Sequence, residues 1–399
     1  MGLASGIFNI NTGNPAELNV RSFAGQILRR FPNGSAPMFA MTSQIGRAKA
    51  KQSTHGYFTK VMTFHVVTQA GSALVGDTTL TWPSTTGMVA KMVFFNPRTR
   101  ENIRIVSVDS ATVVTVTRAF GRVAAAAVNA ADVWIQVGTA FEEGSNRPTA
   151  RRITTAYVPN YTQIFRNAWA MTDTARASMA EMGISNIAEN RNDCAMFHSV
   201  DIESAILYGQ PLMDTTGNTP VHATQGVLDA IEQYASANSN DAASTTNFDQ
   251  LVALLEPAFE YSTNLGDPKM RVGFCDKVAL RVLNQIGRLS GQIMITQKET
   301  SFGMKFSQLE FYKGTVNLVE HPLLNGLERT GMMVVADMNS LKLAYLEGRD
   351  TKPENYGIDG RPADSGADAV GGSLTTECAV ELINPFAWAV INGLTQGAA

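Results

Sequence analysis

The chain reads as an α+β protein, and three stretches carry that reading. From Ile184 to about Tyr208 there is no Gly or Pro, and Ile184, Ile187, Ala188, Cys194, Ala195, Ile202 and Ala205 recur at helical spacing. Ahead of this helix, from about Gly71 to Phe141, short β-branched and apolar runs alternate with turn residues, the pattern of a small β-sandwich or barrel. Behind it, helical and extended patterns alternate from Gln225 to Ile391, which predicts a mixed sheet covered by helices. A helix of about 24 residues spans roughly 36 Å at 1.5 Å per residue. One such spine implies that the rest of the chain packs along it.

Composition bounds the class. The chain has 399 residues, enough for two or three cores. Hydrophobic residues make up 44% and charged ones 17%, which argues against disorder over most of the length and suits a protein that buries surface against copies of itself. A net charge of −3 argues against a nucleic-acid-coating protein of the histone type, though not against a shell that surrounds DNA. The 3 cysteines, Cys194, Cys275 and Cys378, are widely spaced with no Cys-x-x-Cys, and read as reduced core residues of a cytosolic environment. No apolar run reaches the roughly 18 residues of a membrane span, and no basic region followed by an apolar block marks a secretory signal.

Taken in order, residues 1–45 are spotted with Gly, Asn and Ser, with one short amphipathic piece from Val20 to Phe31. Pro32, Gly34 and Pro37 break it, so the segment reads as an arm that buries Phe23 and Ile27 on something else. Thr59–Val67 alternates as a strand. Strands are then expected at Thr78–Trp82, Val89–Phe95, Ile103–Val108, Val113–Arg118 and Val133–Val137, with a loop at Gly121–Val128. Tyr161–Met171, rich in Thr, Ile, Phe and Trp, is a further strand, and a break at Met182-Gly183 precedes the spine. Gly209 and Pro211 are the expected stop.

Beyond the spine, Gln225–Tyr234 is a short helix and Ser236–Thr246 a mobile loop. Asn247 precedes an amphipathic helix carrying Phe248, Leu251, Leu254, Leu255 and Phe259 on one face. Met270–Cys275 is a buried strand, and Asp276 caps a helix over Lys277–Ile286. Strands follow at Leu309–Tyr312, Val316–Glu320, Met332–Asp337 and Leu341–Leu346. Asn355–Gly372 reads as a flexible acidic loop, and Thr375–Ile383 and Ala387–Ile391 close the chain as strands.

The run Asn160-Tyr-Thr-Gln-Ile-Phe-Arg166, the helix start Thr174-Ala-Arg-Ala177 and the helix end Asp201-Ile-Glu-Ser-Ala-Ile-Leu-Tyr-Gly209 resemble the major capsid proteins of tailed bacteriophages. The likeness runs in order from about Gly71 to Gly393, and is narrower to the subfamily with a β-rich insertion ahead of the spine. It implies the Hong Kong 97-type shell fold. In that fold 1–45 is an N-terminal arm, and 46–165 an extended loop bearing the inserted β-domain at about 68–141. A peripheral domain is formed by 166–220 and 375–399, with the spine helix at about 184–208, and 221–374 is an axial domain. The implied function is a major capsid subunit that self-assembles into hexamers and pentamers of an icosahedral head enclosing double-stranded DNA. Scaffolding, portal and cement proteins are the implied further partners, the virion the location, and the host cytoplasm the place of assembly. An encapsulin-like compartment shell is the alternative within the fold, although encapsulins lack a large insertion. A β-rich adhesion or glycan-binding protein is the alternative outside it.

The search for chemistry finds no catalytic, cofactor-binding or metal pattern. Gly-x-Gly-x-x-Gly, the phosphate-cradling Gly-x-x-x-x-Gly-Lys, His-Glu-x-x-His and Gly-x-Ser-x-Gly are all missing. The 5 histidines, His55, His65, His198, His222 and His321, have no neighbours at metal-ligand spacing. His198 on the spine reads as a satisfied core or interface histidine rather than a ligand. Glu142 and Glu143 are adjacent, point to opposite faces and are poor acid/base partners. Asp201 and Glu203 are expected to meet arginines across a subunit contact or to be solvated. Arg147, Arg151 and Arg152 form a basic cluster suited to an acidic patch on a neighbour. Together with Phe23 and Ile27, these carboxylates and arginines are the assembly-contact candidates. Lys49, Lys51, Lys60 and Lys91 lie where some relatives cross-link covalently, but no motif marks any of them as reactive.

Overall fold

The structure is a computed structural model. It describes residues 36–60, 65–147, 154–177, 186–242, 247–261, 269–290, 296–301, 304–326, 331–357 and 368–394. Phe58–Val158 forms one compact unit, and the described parts of Met1–Tyr57 and Pro159–Ala399 form the other.

Helix α1 (Pro37–Ile45) opens the described chain, where the sequence suggested an arm broken at Pro37. Pro37 instead stands at the helix start, where its missing N–H and fixed φ cost nothing. Met38 and Met41 then turn into the core. Strand β1 (Arg47–Ala50) and β2 (Thr54–Thr59) follow. The single strand expected over Thr59–Val67 is two strands, β2 and β3 (Val66–Thr68), and 61–64 lie outside the described residues.

The unit Phe58–Val158 holds β3, β4 (Thr79–Thr81), β5 (Met92–Phe95), β6 (Asn102–Val108), β7 (Val113–Thr117) and β8 (Val133–Thr139). They form one six-stranded sheet in the order β3-β8-β5-β6-β7-β4 with every pair antiparallel. Ala70, just past β3, donates to the Thr81 carbonyl on β4 at 2.9 Å, so the edges meet and the sheet curls into a small barrel. Leu80, Trp82, Met92, Phe94, Ile103, Ile105, Val114 and Trp134 fill it, each fully buried. Inward residues alternate with more exposed ones along β6 and β7, as the pleat requires. The entry and exit strands, β2 and β9 (Ala156–Tyr161), pair with each other.

In the second unit β10 (Gln163–Thr172) leads to the short helix α2 (Asp173–Ala177) and the spine α3 (Asn186–Tyr208). The Met182-Gly183 break lies outside the described residues. Strands β11 (Leu212–Asp214) and β12 (Val221–Ala223) form a hairpin ahead of helix α4 (Val227–Tyr234). Then come β13 (Ser239–Asp241), α5 (Phe248–Leu255), β14 (Met270–Cys275), α6 (Lys277–Ser290), β15 (Thr296–Ser301), β16 (Met304–Phe311) and β17 (Gly314–Glu320). The chain ends through β18 (Met333–Ala336), β19 (Leu341–Leu346), β20 (Lys352–Tyr356), β21 (Ala369–Leu382) and β22 (Ala389–Asn392).

Two sheets share this unit. One is five-stranded, with the 14-residue β21 at its centre. Strand β10 lines one edge of β21, and β19 followed by β20 lines the other, while β1 runs parallel to β19. The other sheet is seven-stranded and mixed, in the order β13-β22-β18-β14-β17-β16-β15. The apolar sides of α5 and α6 cover it, and α1, α3 and α4 share a second core with strands of both sheets.

Three expectations are corrected here. The acidic loop is narrower than Asn355–Gly372, because β20 ends at Tyr356 and β21 begins at Ala369, with 358–367 outside the described residues. Ladder bonds override the low strand propensity of Gly371 and Gly372. The segment Ser236–Thr246 is not all loop: buried Asn238 donates to the carbonyls of Phe386 and Trp388 at 3.0 and 2.7 Å and leads into β13, and 243–246 lie outside the described residues. Gly209 ends the spine for a different reason from a left-handed cap. A Cβ there would lie 2.4 Å from the Thr224 carbonyl, and one on Gly226 would lie 2.7 Å from the Ala205 carbonyl. The two glycines let the helix end and the start of α4 meet backbone to backbone.

Candidate assembly sites

The spine buries Cys194, His198, Ile202, Glu203, Ile206 and Leu207, so its inner stripe carries a histidine and a glutamate among apolar neighbours. Each polar member joins separate elements. Glu203 is fully buried, and its Oε1 and Oε2 accept the backbone N–H groups of Met38 at 2.8 Å and Phe39 at 2.6 Å. These are first-turn donors of α1, whose own preceding residue, Ala36, offers no side-chain cap. The spine therefore caps α1, with a carboxylate on the positive end of the helix. His321 Nε2 meets the same Oε1 at 2.7 Å, while its Nδ1 accepts from Leu323 N–H, so the proton sits on Nε2 and points at Glu203.

His198, one face-turn earlier, satisfies both ring nitrogens. Nδ1 donates to Asn167 Oδ1 at 2.7 Å, since the Asn167 amide nitrogen is committed to Asp201, and Nε2 accepts from Thr376 Oγ1 at 2.7 Å. Thr351 continues the chain to Thr376 at 2.8 Å. Burial holds the imidazole pKa below its ordinary value, against the opposing pull of Asp201. This is the satisfied histidine the spacing suggested.

In the barrel, Glu101 is fully buried. Burial disfavours its charge, but bidentate bonds from Arg118 at 2.8 Å and the N–H groups of Ala119 and Ala126 outweigh that and lower its pKa. The same guanidinium donates to the carbonyls of Leu74, Asp77 and Ala126, so one ion pair ties three loops together. Arg98 clamps Asp132 in the same manner, with bonds of 2.7 and 2.5 Å. Neither pair has a local sequence signature, because the partners are brought together across the barrel.

The contact candidates fare unevenly. Glu203 is neither solvated nor open to a neighbouring subunit, which corrects that expectation: its three acceptor contacts are all internal. Asp201 is exposed and accepts from Asn167 rather than from an arginine. Glu142 is half-exposed and bridges Lys91 at 2.5 Å and Arg104 at 3.2 Å within its own unit. Glu143 and Arg147 are exposed, while Phe23, Ile27, Arg151 and Arg152 lie outside the described residues. Among the described residues no His/Cys/Asp/Glu group is arranged to hold a metal, and all three cysteines are free and buried.

Comparison with known proteins gives the class: this is a major capsid protein of a bacteriophage. A family model described as the SU10 major capsid protein matches residues 8–395, and the chain belongs to that family. It is 49% identical over 408 residues to the major capsid protein of Pseudomonas phage PaMx41, covering 99% of this chain and 97% of the relative. Among solved structures it is similar to one of Microbacterium phage Oxtober96, with a TM-score of 0.48 at 12% identity over 96% of this chain and 97% of that one. It is also similar to the capsid of a native GTA particle, with a TM-score of 0.47 at 8% identity over 94% and 96%. A third similarity is to the SrpI encapsulin of Synechococcus elongatus PCC 7942, with a TM-score of 0.44 at 11% identity over 62% and 80%. The chain is thus a structural subunit of a virion shell.

Proposed function

We propose that copies of this chain assemble, without catalysis, into hexamers and pentamers of an icosahedral head that encloses double-stranded DNA. The observation that carries this reading is the end-to-end relationship to a phage major capsid protein, 49% identical over 99% of the chain. In it, residues 1–45 act as an arm and 46–165 as an extended loop that reach neighbouring subunits, while α1 (Pro37–Ile45) and β1 (Arg47–Ala50) anchor them on their own subunit. The parts 166–220 and 375–399 form the peripheral domain, and 221–374 forms the axial domain at the capsomer centre. Many modest contacts repeated around closed rings then give a stable shell. With a net charge of −3, the chain encloses DNA without sequence-specific contacts. Assembly takes place in the host cytoplasm, with scaffolding, portal and cement proteins as further partners.

Electron microscopy and sedimentation of the protein expressed alone, and again with the products of neighbouring phage genes, test the reading. Closed shells, tubes or capsomer-sized rings are expected in at least one condition. A uniform monomer in both would overturn it.

A further inference from the structure

The five-stranded sheet ends on an edge that nothing described in the chain closes. Strand β10 pairs with β21 along its whole length, Gln163 to Thr172, with no shift of register. In an antiparallel pair alternate residues turn both backbone groups away from the partner strand, so a row of N–H and C=O groups looks outward from β10. Among the described residues, none of these outward groups between Ile164 and Met171 meets a hydrogen-bond partner. The spine leaves the edge open. His198 reaches Asn167 of β10 and Thr376 of β21 at 2.7 Å each, which sets α3 over the seam between the two strands.

The other described edges of the two large sheets each carry a device against pairing with a further strand. Strand β1 has only 4 residues, and Arg47 and Lys49 are two of them. Strand β20 sets Pro353 between Lys352 and Glu354. Strand β13 is 3 residues long and ends in Asp241. Strand β15 carries Lys298 and Glu299, and its register against β16 is irregular. Strand β10 has none of these protections over its 10 residues. It contains no Pro and no bulge, and Arg166 is the single charge in its exposed row Ile164, Arg166, Ala168, Ala170 and Thr172.

We infer that β10 pairs antiparallel with β10 of a second copy across a two-fold axis, joining two five-stranded sheets into one. A strand edge is complementary to another strand edge, and the described edge of this chain that matches β10 in length and openness is β10 itself. Its side chains fit a register centred on Ala168. Ala168 then meets its counterpart, Arg166 lies opposite Ala170, and Ile164 lies opposite Thr172. Small residues sit on the axis, and the two arginines are offset rather than opposed. The contact is isologous, the same patch on both subunits. The inference rests on the shell reading above and deepens it by naming a contact.

The test uses full-length Ala168→Lys and Ala168→Glu chains, assembled separately and as a mixture. Position 168 is exposed, and urea unfolding of the unassembled variants checks that each folds like the wild type. Each variant alone sets like charges against one another across the axis. The expected result is an assembly threshold raised by at least about tenfold, equivalent to roughly 1.4 kcal/mol. The mixture, in which opposite charges can face one another, is expected to recover most of that loss. An unchanged threshold in the single variants overturns the inference, and so does a loss that mixing does not recover. As a second arm, assembled Ala168→Cys chains treated with a short bismaleimide are expected to yield a covalent dimer, since Cys194, Cys275 and Cys378 are buried and do not compete. Particles that sediment normally but yield no linked dimer overturn the contact. Wild-type chains that never form particles would count instead against the shell reading.

Discussion

His198 shows how far one residue reaches. Its two ring nitrogens bridge the spine to β10 and β21, an arrangement that uses the neutral imidazole, and burial favours the same form. The sign for stability follows. The folded pKa lies below the ordinary value of about 6.5, so below that pH the unfolded chain takes up a proton that the folded chain refuses. Stability therefore falls as pH drops from about 6.5, by at most about 1.4 kcal/mol per pH unit. Urea unfolding of the unassembled subunit between about pH 7.5 and 5.5 reads this. The His198→Gln variant is expected to be less stable at neutral pH but to have a flatter profile across that range. An equally steep profile in the variant would assign the dependence to another group.

At the scale of elements, the spine acts as a cap as well as a support. Helix α1 supplies no capping side chain of its own and takes a carboxylate from Glu203. Glu203→Ala leaves two helix N–H groups and the His321 Nε2–H buried without an acceptor. The expected cost is at least about 3 kcal/mol, since each of these buried donors left unpaired costs about 1–3 kcal/mol. Glu203→Gln keeps one oxygen but sets an amide against a donor, so its cost is smaller, roughly 1–3 kcal/mol. Hydrogen exchange at Phe39–Thr42 separates local loss of α1 from global unfolding: faster exchange there, ahead of the spine, is the expected order. Uniform acceleration across both elements would show that the cap is not local. The glycine pair Gly209 and Gly226 does the parallel work just beyond Glu203, at the same C-terminal end of α3, by close approach rather than by charge.

For the whole molecule, the division into units makes a prediction of its own. Phe58–Val158 has a closed core of its own, and its entry and exit strands β2 and β9 pair, with the Phe58 and Tyr157 rings 5.0 Å apart. Replacing residues 60–155 by a short Gly/Ser turn is expected to leave the remaining unit folded, with a single cooperative unfolding transition and retained helix signal by circular dichroism. Loss of cooperativity would mean that the barrel is part of the other unit's core. Buried Glu101 and Arg118 are used wholly within the barrel, which is the physical ground for expecting independence.

The order and type of most elements were determined by the sequence alone. Short β-branched runs between turn residues marked β6 and β7, the Gly- and Pro-free run marked α3, and Asn247 ahead of an amphipathic run marked the start of α5. Local patterns carry such information because they reflect one residue's neighbours along the chain. Tertiary structure alone decided the rest. Nothing near Glu203 in sequence shows that its acceptors serve α1 and His321, at separations of 165 and 118 residues. Nothing near Arg118 shows that it holds the Leu74 turn, 44 residues away. A buried charge is stable only where distant donors converge on it, and convergence is a property of the folded chain rather than of any window within it.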